Sequence, residues 1–581
     1  MHSKYDRWFQ VWEVVLEGSG RSVTDLFEES QRLGIPPVEV LTQVWKLVDY
    51  YELAKKWSEI YEIPFKETFE YETHGGWFLL GKLGAAIWFP LYLEDVRRKF
   101  PEKEIYLVPY DLFRHKKEEE EGLWGLFIDL IRLARKIEVS DIHFEVRPYG
   151  VDIKYRILGE LKLIRTLNLE TGRRLQKLIK TEAANYTYNF DPERWQLRQD
   201  ARIVLKEENL DLRLAFTPSL VEGMQNITVR LLTKSALRIR SKEDLKKLGY
   251  SEEDVEVILE QSKKTYGLNI VSGPTGSGKS LTINTILGLL PPHLKILTVE
   301  DPVEYVLENA LQHQVFELKM EDGSILKMDY LEYLREFMRM DPDVIFIGEW
   351  RKLPELTESM LYASETGHLV FTTLHANRAV TVPNLLVNQY GLKREDISNN
   401  LNFVLNQRLV KKVCQNCARL HTLTEEEVFP LIERLRFKDK NKLKALIGAE
   451  VKKAGTGCSQ CIRNHPLEPE KVISSGFSGR TVVYEYLVFD EKIKHLVLQT
   501  TSSLKIEDYI VESSAYIFLE KADKDFKEKL SSLRDAEIVR ENSYGVLLKR
   551  KQFTSKTFVD SILEKVLSGE IVLEEAISKI L

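Results

Sequence analysis

The spacing of apolar and polar positions changes several times along the chain, and each change marks an element. Residues 38–53 recur at helical spacing after Pro36-Pro37, and residues 77–90 alternate apolar residues with glycine. The run 115–121, HKKEEEE, is polar throughout and reads as a solvated linker. Residues 123–137 return to helical period. The segment 140–164 then alternates with period two, and Pro148-Tyr149-Gly150 forms the turn between two strands. This predicts a sheet domain with helices that ends near Arg240. Residues 242–264 read as helical. Beyond them lie short, nearly continuous apolar runs at 268–271, 294–299, 344–347 and 368–373, the composition of strands buried on both faces of a parallel sheet. Past Glu485 the chain reads as helical and charged.

The first of these buried strands runs into Gly273-Pro274-Thr275-Gly276-Ser277-Gly278-Lys279-Ser280, the P-loop spacing. Glycines let the backbone curl with its N–H groups inward, where phosphate oxygens can sit at the start of the following helix. Lys279 supplies charge for the terminal phosphates, and the Ser280 hydroxyl can ligate Mg²⁺. The later runs lead into Glu300-Asp301-Pro302, Gly348-Glu349 and Leu374-His375. Ligands bind at the carboxyl ends of strands in an open parallel sheet, so Glu300, Asp301, Glu349 and His375 are expected beside the phosphates. Either Glu300 or Glu349 suits the base that activates water, and either His368 or His375 could hydrogen-bond the terminal phosphate. Upstream, Arg194, Arg198, Arg202, Arg213 and Arg230 recur at strand-like positions, and their guanidinium forks suit phosphate.

Composition narrows the class. With 581 residues the chain is too long for one core, and three to five domains are expected. A net charge of -6 with basic and acidic residues interleaved gives no footprint for nucleic acid. No apolar run reaches the ~18 residues of a spanning helix, and the start MHSKYDRWFQ is not a signal peptide, so a cytoplasmic location is expected. All 4 cysteines fall in two pairs, Cys414-x-x-Cys417 and Cys458-x-x-Cys461, with 40 residues between the pairs. Each pair can offer two thiolates from a tight turn, and together they make the tetrahedral set that zinc favours.

Residues 140–480 resemble the secretion and pilus-assembly ATPases of the GspE/PilB group. The resemblance rests on the P-loop, LTVEDPVEY at 297–305 with Gln312-His313-Gln314-Val315, RMDPDVIFIGEWR at 339–351, TGHLVFTTLHANRA at 366–379, SDIHFE at 140–145 and NQRLVKKVCQNC at 406–417. It implies a RecA-like P-loop ATPase domain with a parallel sheet, preceded by a PAS-like α+β sheet domain and followed by a small tetracysteine zinc module and a helical C-terminus. The corresponding division is 1–115 (docking or regulatory), 116–122 (charged linker), 123–240 (PAS-like), 241–412 (ATPase), 413–485 (zinc module) and 486–581 (helical). ATP and Mg²⁺ would be held by residues 273–280 with Arg202, Arg213 and Arg230. Glu300 would activate water, Glu349 would act on metal or water, and His368 and His375 would line the phosphate site.

The same resemblance implies a homo-hexameric motor that assembles a type IV pilus or a type II secretion pseudopilus. It would work peripherally at the cytoplasmic face of the inner membrane, on a platform protein and an adaptor. A retraction motor and a non-hydrolysing nucleotide-gated scaffold are the alternatives; the cysteine module, carried by assembly-type members, speaks against the first. Five features depart from the family pattern: Trp350, Lys352, Met224, Leu158 and an acidic insertion, MEDGS, at 320–324. Residues 21–24 lack the Leu-Gly of a cyclic-dinucleotide motif, so the N-terminal region reads as a docking domain.

Overall fold

The computed structural model describes residues 122–581 apart from 188–189, 207, 209, 233–238, 240, 320–324, 468–470 and 534. Of the N-terminal part it describes a few single positions, the helix Tyr50–Tyr61 and a four-stranded sheet of very short strands between Thr73 and Leu107. The expected linker, the MEDGS insertion and most of the expected docking domain therefore lie outside the described residues. The chain divides into two compact units, Met1–Leu232 with Arg463–Ile473, and Thr233–Ile462 with Ser474–Leu581.

In the first unit a six-stranded antiparallel sheet runs in the order Glu160–Leu167, Gly150–Ile157, Asp141–Arg147, Gln225–Leu232, Leu210–Pro218, Gln199–Leu205. The alternation read from the sequence is the pleat: Ile142 and Phe144, Ile153 and Tyr155, and Leu212, Leu214 and Phe216 are buried at every second position. The helix Gly122–Lys136 buries Leu123, Leu126, Phe127, Leu130, Ile131 and Ala134, and the Tyr155 hydroxyl donates to Leu130 O at 2.5 Å. Arg147 pairs with Gly150 across the expected Pro148-Tyr149 turn. The next hairpin turns at Leu158 (φ 49°) and Gly159 (φ 90°), so Leu158, where the family pattern has Asp, takes a left-handed conformation that short polar residues adopt more easily.

The second unit is built on one eight-stranded sheet. Its strands are β1 (Gly267–Ser272), β2 (Ile296–Glu300), β3 (Ala310–Gln314), β4 (Val344–Ile347), β5 (Leu369–Leu374), β6 (Leu401–Val413), β7 (Phe477–Val488) and β8 (Ser555–Lys556), in the order β3-β2-β4-β5-β1-β6-β7-β8. From β3 through β6 neighbours are parallel; β7 and β8 add antiparallel. Both faces are covered, with Leu297, Val299, Ile345 and Ile347 in one core and Ile296, Val344 and Phe346 in another, which is why these strands read as continuous apolar runs.

Two expectations need correction. Residues 242–264 form two helices, Glu243–Leu248 and Glu252–Ser262, because Gly249 ends the first at φ 111° and Ser251 caps the second by accepting from Asp254 N at 3.2 Å. The main-sheet strands of the expected ATPase span are parallel to one another, and β7 and β8 extend that sheet antiparallel from beyond it. The C-terminal region is not purely helical: Tyr516–Glu520, Gly545–Arg550 and Ala536–Glu541 form an antiparallel sheet, and Ser555–Lys556 joins the main one. On either side of the MEDGS insertion, Phe316–Lys319 and Ile325–Met328 pair antiparallel.

Candidate nucleotide-hydrolysis site

Four neighbouring parallel strands end at one edge of the second unit's sheet, and each ending carries a polar group. Ser272 on β1 lies in register with Leu374 on β5, and Ile347 on β4 with Val299 on β2. The chain beyond stays stitched together: Gly273 N donates to Leu374 O at 3.2 Å, Gly348 N to Val299 O at 2.8 Å and Trp350 N to Thr373 O at 3.0 Å. The P-loop, Glu300, Glu349 and His375 thus share one edge, as their positions after the strands required.

The loop is shaped by what lies beneath it. A Cβ on Gly273 (φ 146°) would stand 2.6 Å from Gln407 O, and Gly278 precedes the helix α1 (Lys279–Gly288) in a left-handed conformation (φ 87°) where a Cβ would also crowd Gln407 Nε2 at 3.2 Å. Gln407 on β6 donates from Nε2 to Ser277 O at 2.7 Å, and its Oε1 accepts from the buried Tyr250 hydroxyl at 2.7 Å. Lys279 Nζ donates to Gly273 O and Pro274 O, both at 3.0 Å, and so crosses the seat a phosphate would take. Burial pushes its ammonium down to about 8, a shift partly opposed by Glu349 and reinforced by Arg408. A bound polyanion would oppose that shift.

Glu300, 4% exposed, is the last residue of β2. Its Oε1 accepts from Thr298 Oγ1 and Gln312 Nε2, both at 3.1 Å, while Gln312 is itself fixed by donating to Tyr305 O at 2.8 Å and accepting from Leu307 N at 2.7 Å. Burial raises the carboxyl to about 7 against these hydrogen bonds, with Glu304 adding to the rise. A buried carboxyl titrating near neutrality suits a base for water. Glu349 is more open: His375 Nε2 lies 3.5 Å from one carboxylate oxygen and Arg351 Nε 3.4 Å from the other. Arg351 also reaches Asp301 at 3.2 Å and lies over the Tyr330 ring at 5.0 Å.

His368 does not join this group. It precedes β5, its backbone oxygen accepts from Gly267 N at the start of β1, and its ring Nδ1 lies 2.9 Å from Ala363 O. A strand of six residues separates it from the P-loop edge, because parallel strands put their starts and ends on opposite sides of the sheet. Its place is that of a residue closing the turn into the strand.

Arg202, Arg213 and Arg230 belong to the first unit, and there they come together. Arg202 pairs across with Arg213, and Arg213 with Arg230, so the three stand side by side on three adjacent strands and share a face. Like charges in such a row destabilise a sheet unless an anion or acids compensate. Asp211 pairs with Arg202, and Asp141 accepts from Arg230 Nε at 3.0 Å. Arg194 and Arg198 lie outside the row, beside Asp191 and Asp200.

The four cysteine sulfurs lie within 4.8 Å of one another, with separations of 3.7 Å (Cys414–Cys458), 3.6 Å (Cys417–Cys461) and 3.8 Å (Cys458–Cys461). Sulfurs ~2.3 Å from one zinc at tetrahedral corners stand about 3.8 Å apart, so the donor set fits that ion.

Gln407, Gln312 and Arg351 lie in segments that carry the resemblance, but sequence reasoning gave none of them a role. The signal for the first was present: Asn406-Gln407-Arg408 interrupts the apolar run between Phe403 and Val410, and polar residues buried in such a place must be paired with something. Two departures from the family pattern line the cavity that Glu349 and His375 also line, and each has a partner of its own. Trp350 is buried in the core with its Nε1 donating to Thr357 Oγ1 at 3.1 Å and its ring edge-on to Tyr390, and Lys352 reaches Gln389 Oε1.

A P-loop at the end of a central parallel strand, with acids at the ends of two further parallel strands of the same sheet, defines a P-loop ATPase. The model of the type II/IV secretion system protein family matches residues 117–577, and the chain belongs to that family. Its curated relatives are secretion and pilus-assembly ATPases. It is 32% identical to the type II secretion system protein E of Aeromonas hydrophila over 428 residues, 73% of this chain and 77% of that one. It is 30% identical to the type IV pilus assembly ATPase PilB of Acinetobacter baylyi over 385 residues, 66% of this chain and 59% of that one. Among solved structures, the ATPase DotB of Legionella pneumophila aligns over 78% of this chain and 94% of its own, with a TM-score of 0.47 and 18% identity.

Proposed function

We propose that this chain is the ATP-hydrolysing motor of a type II secretion or type IV pilus-assembly machine. It works as a homo-hexamer peripheral to the cytoplasmic face of the inner membrane, on a platform protein and an adaptor. The observation that carries the reading is the convergence of Lys279, Glu300, Glu349 and His375 at one sheet edge in a chain of this family. Among the described residues no helix is long and apolar enough to cross a membrane.

In this reading the backbone N–H groups of residues 273–280 cradle the phosphates, and Lys279 leaves its loop carbonyls for the phosphate oxygens. The Ser280 hydroxyl, with Glu349 at the same edge, offers the hard oxygen donors that Mg²⁺ takes, and the ion would neutralise charge on the terminal phosphates. Glu300 accepts the proton of the attacking water as the new P–O bond forms and the bond to the ADP oxygen breaks. Arg202, Arg213 and Arg230 are assigned to nucleotide on the family resemblance, which the cross-strand row supports. The tetracysteine cluster is assigned a structural zinc, since all four donors come from protein.

The scaffold alternative rests on Trp350 and Lys352, which line one cavity with Glu349 and His375, and phosphate release separates it from hydrolysis. A phosphate-release assay on the full chain tests the proposal: wild type releases phosphate and Lys279→Ala does not. Wild-type protein that binds ATP without phosphate release overturns it.

A further inference from the structure

Two acids close the adjacent strands β2 and β4 at the phosphate edge, and they are held differently. Thr298 and Gln312 fix Glu300 to the sheet. The Glu349 side chain is 39% exposed and lies on the turn after β4, with His375 beside one carboxylate oxygen and Arg351 beside the other. An open carboxylate on a turn samples several rotamers unless a partner selects one.

Arg351 lies on the same turn, before the helix Pro354–Glu365, and its backbone oxygen tightens the turn by accepting from Leu353 N at 2.8 Å. Two different edges of its guanidinium are in use. Nε donates to Glu349 Oε2 at 3.4 Å, and Nη2 donates to Asp301 Oδ2 at 3.2 Å. The ring of Tyr330 supports the guanidinium, whose carbon lies 5.0 Å from the ring centroid. Tyr330 is itself buried at the start of the helix Tyr330–Phe337. One side chain thus spans the ends of β2 and β4 and rests on a third element. Asp301 directly follows Glu300, so the span runs from the residue beside one acid to the carboxylate of the other. A cation between Asp301 and Glu349 also offsets the repulsion of carboxylates gathered at one edge. Lysine has a point charge and no planar fork, so it could fill this place only in part.

We propose that Arg351 is a positioning residue that bridges Asp301 and Glu349, so that the Glu349 carboxylate keeps register with the Glu300 strand end as nucleotide binds. The proposal rests on the ATPase reading above. Positioning of a carboxylate acts on turnover more than on ground-state binding, and a displacement of about 1 Å costs on the order of 100-fold in rate.

The test is steady-state ATP hydrolysis by the full chain, with thermal unfolding of the same preparations. Arg351→Ala is expected to lower kcat about 10-fold or more and to leave the KM for ATP within about threefold. Its Tm should stay within about 3 °C of wild type, because ion pairs between half-exposed groups add little stability. Arg351→Lys should recover part of the lost kcat, and its smaller loss carries the test if the alanine variant does not fold. Asp301→Asn added to Arg351→Ala should lower kcat by no more than about twofold further, since the bridge is already gone. Wild-type kcat in Arg351→Ala overturns the proposal, as do losses that multiply in the double variant. A raised KM with kcat unchanged also overturns it, because that marks an arginine that binds nucleotide directly, and a kcat loss that comes with a lowered Tm marks a structural role. A wild type without hydrolysis removes the underlying ATPase reading, a result distinct from all of these.

Discussion

Replacing Glu300 by Gln sets activity against stability, and the burial of the carboxyl fixes the size of the contest. Its ordinary value of 4.5 rises to about 7 through desolvation. At ~1.36 kcal/mol per unit, that rise corresponds to about 3 kcal/mol between the two protonation states. The folded-state value lies above the unfolded one, so the folded chain binds this proton more tightly. The contribution is fully present below about pH 4.5 and is lost as pH rises through 7. At pH 8 the carboxylate therefore strains the fold, and a neutral amide that still meets Thr298 and Gln312 relieves the strain. Glu300→Gln is expected to abolish hydrolysis while raising the Tm by several degrees at pH 8, the gain vanishing near pH 5. In the wild type, kcat/KM should climb about tenfold from pH 6 to pH 8 as the base ionises. Hydrolysis rates across that range and thermal unfolding at both pH values make the comparison. A flat profile, or a Glu300→Gln chain no more stable than wild type at pH 8, would refute the assignment of the base and its desolvation together.

Metal analysis of protein purified without chelator should find about one zinc per chain, lost in Cys458→Ser together with part of the thermal stability; an absence of zinc from the wild type would remove the tetracysteine assignment. Lys556, 1% exposed, pairs with the fully buried Asp254, whose carboxylate also accepts from Tyr486 at 2.8 Å. Lys556→Met should cost about 3 to 5 kcal/mol by stranding that carboxylate, and Lys556→Met with Asp254→Leu should recover much of the loss; equal unfolding of single and double variants would contradict this.

Much of the site was legible before the fold because its parts are local. A P-loop needs its glycines and lysine at fixed spacing, and Glu300, Glu349 and His375 each follow a buried run directly, so a strand reading places them at one edge. His368 shows the limit of that logic, since a residue at the start of the same run lands at the far side of the sheet. The turn at Gly249, which breaks a helix the periodicity made continuous, is likewise local, but its weight depends on Tyr250 finding Gln407 across the core.

What the sequence determined by itself was the catalytic vocabulary, the cysteine pairs and the family, each carried by short segments whose spacing is their function. Only the tertiary structure decided the partners. It drew Arg202, Arg213 and Arg230 into one cross-strand row and brought Gln407 under the P-loop from a strand 130 residues beyond Ser277. These are pairings between strands and helices distant in sequence, fixed by register and packing, and no local pattern encodes which side chain will lie across from which.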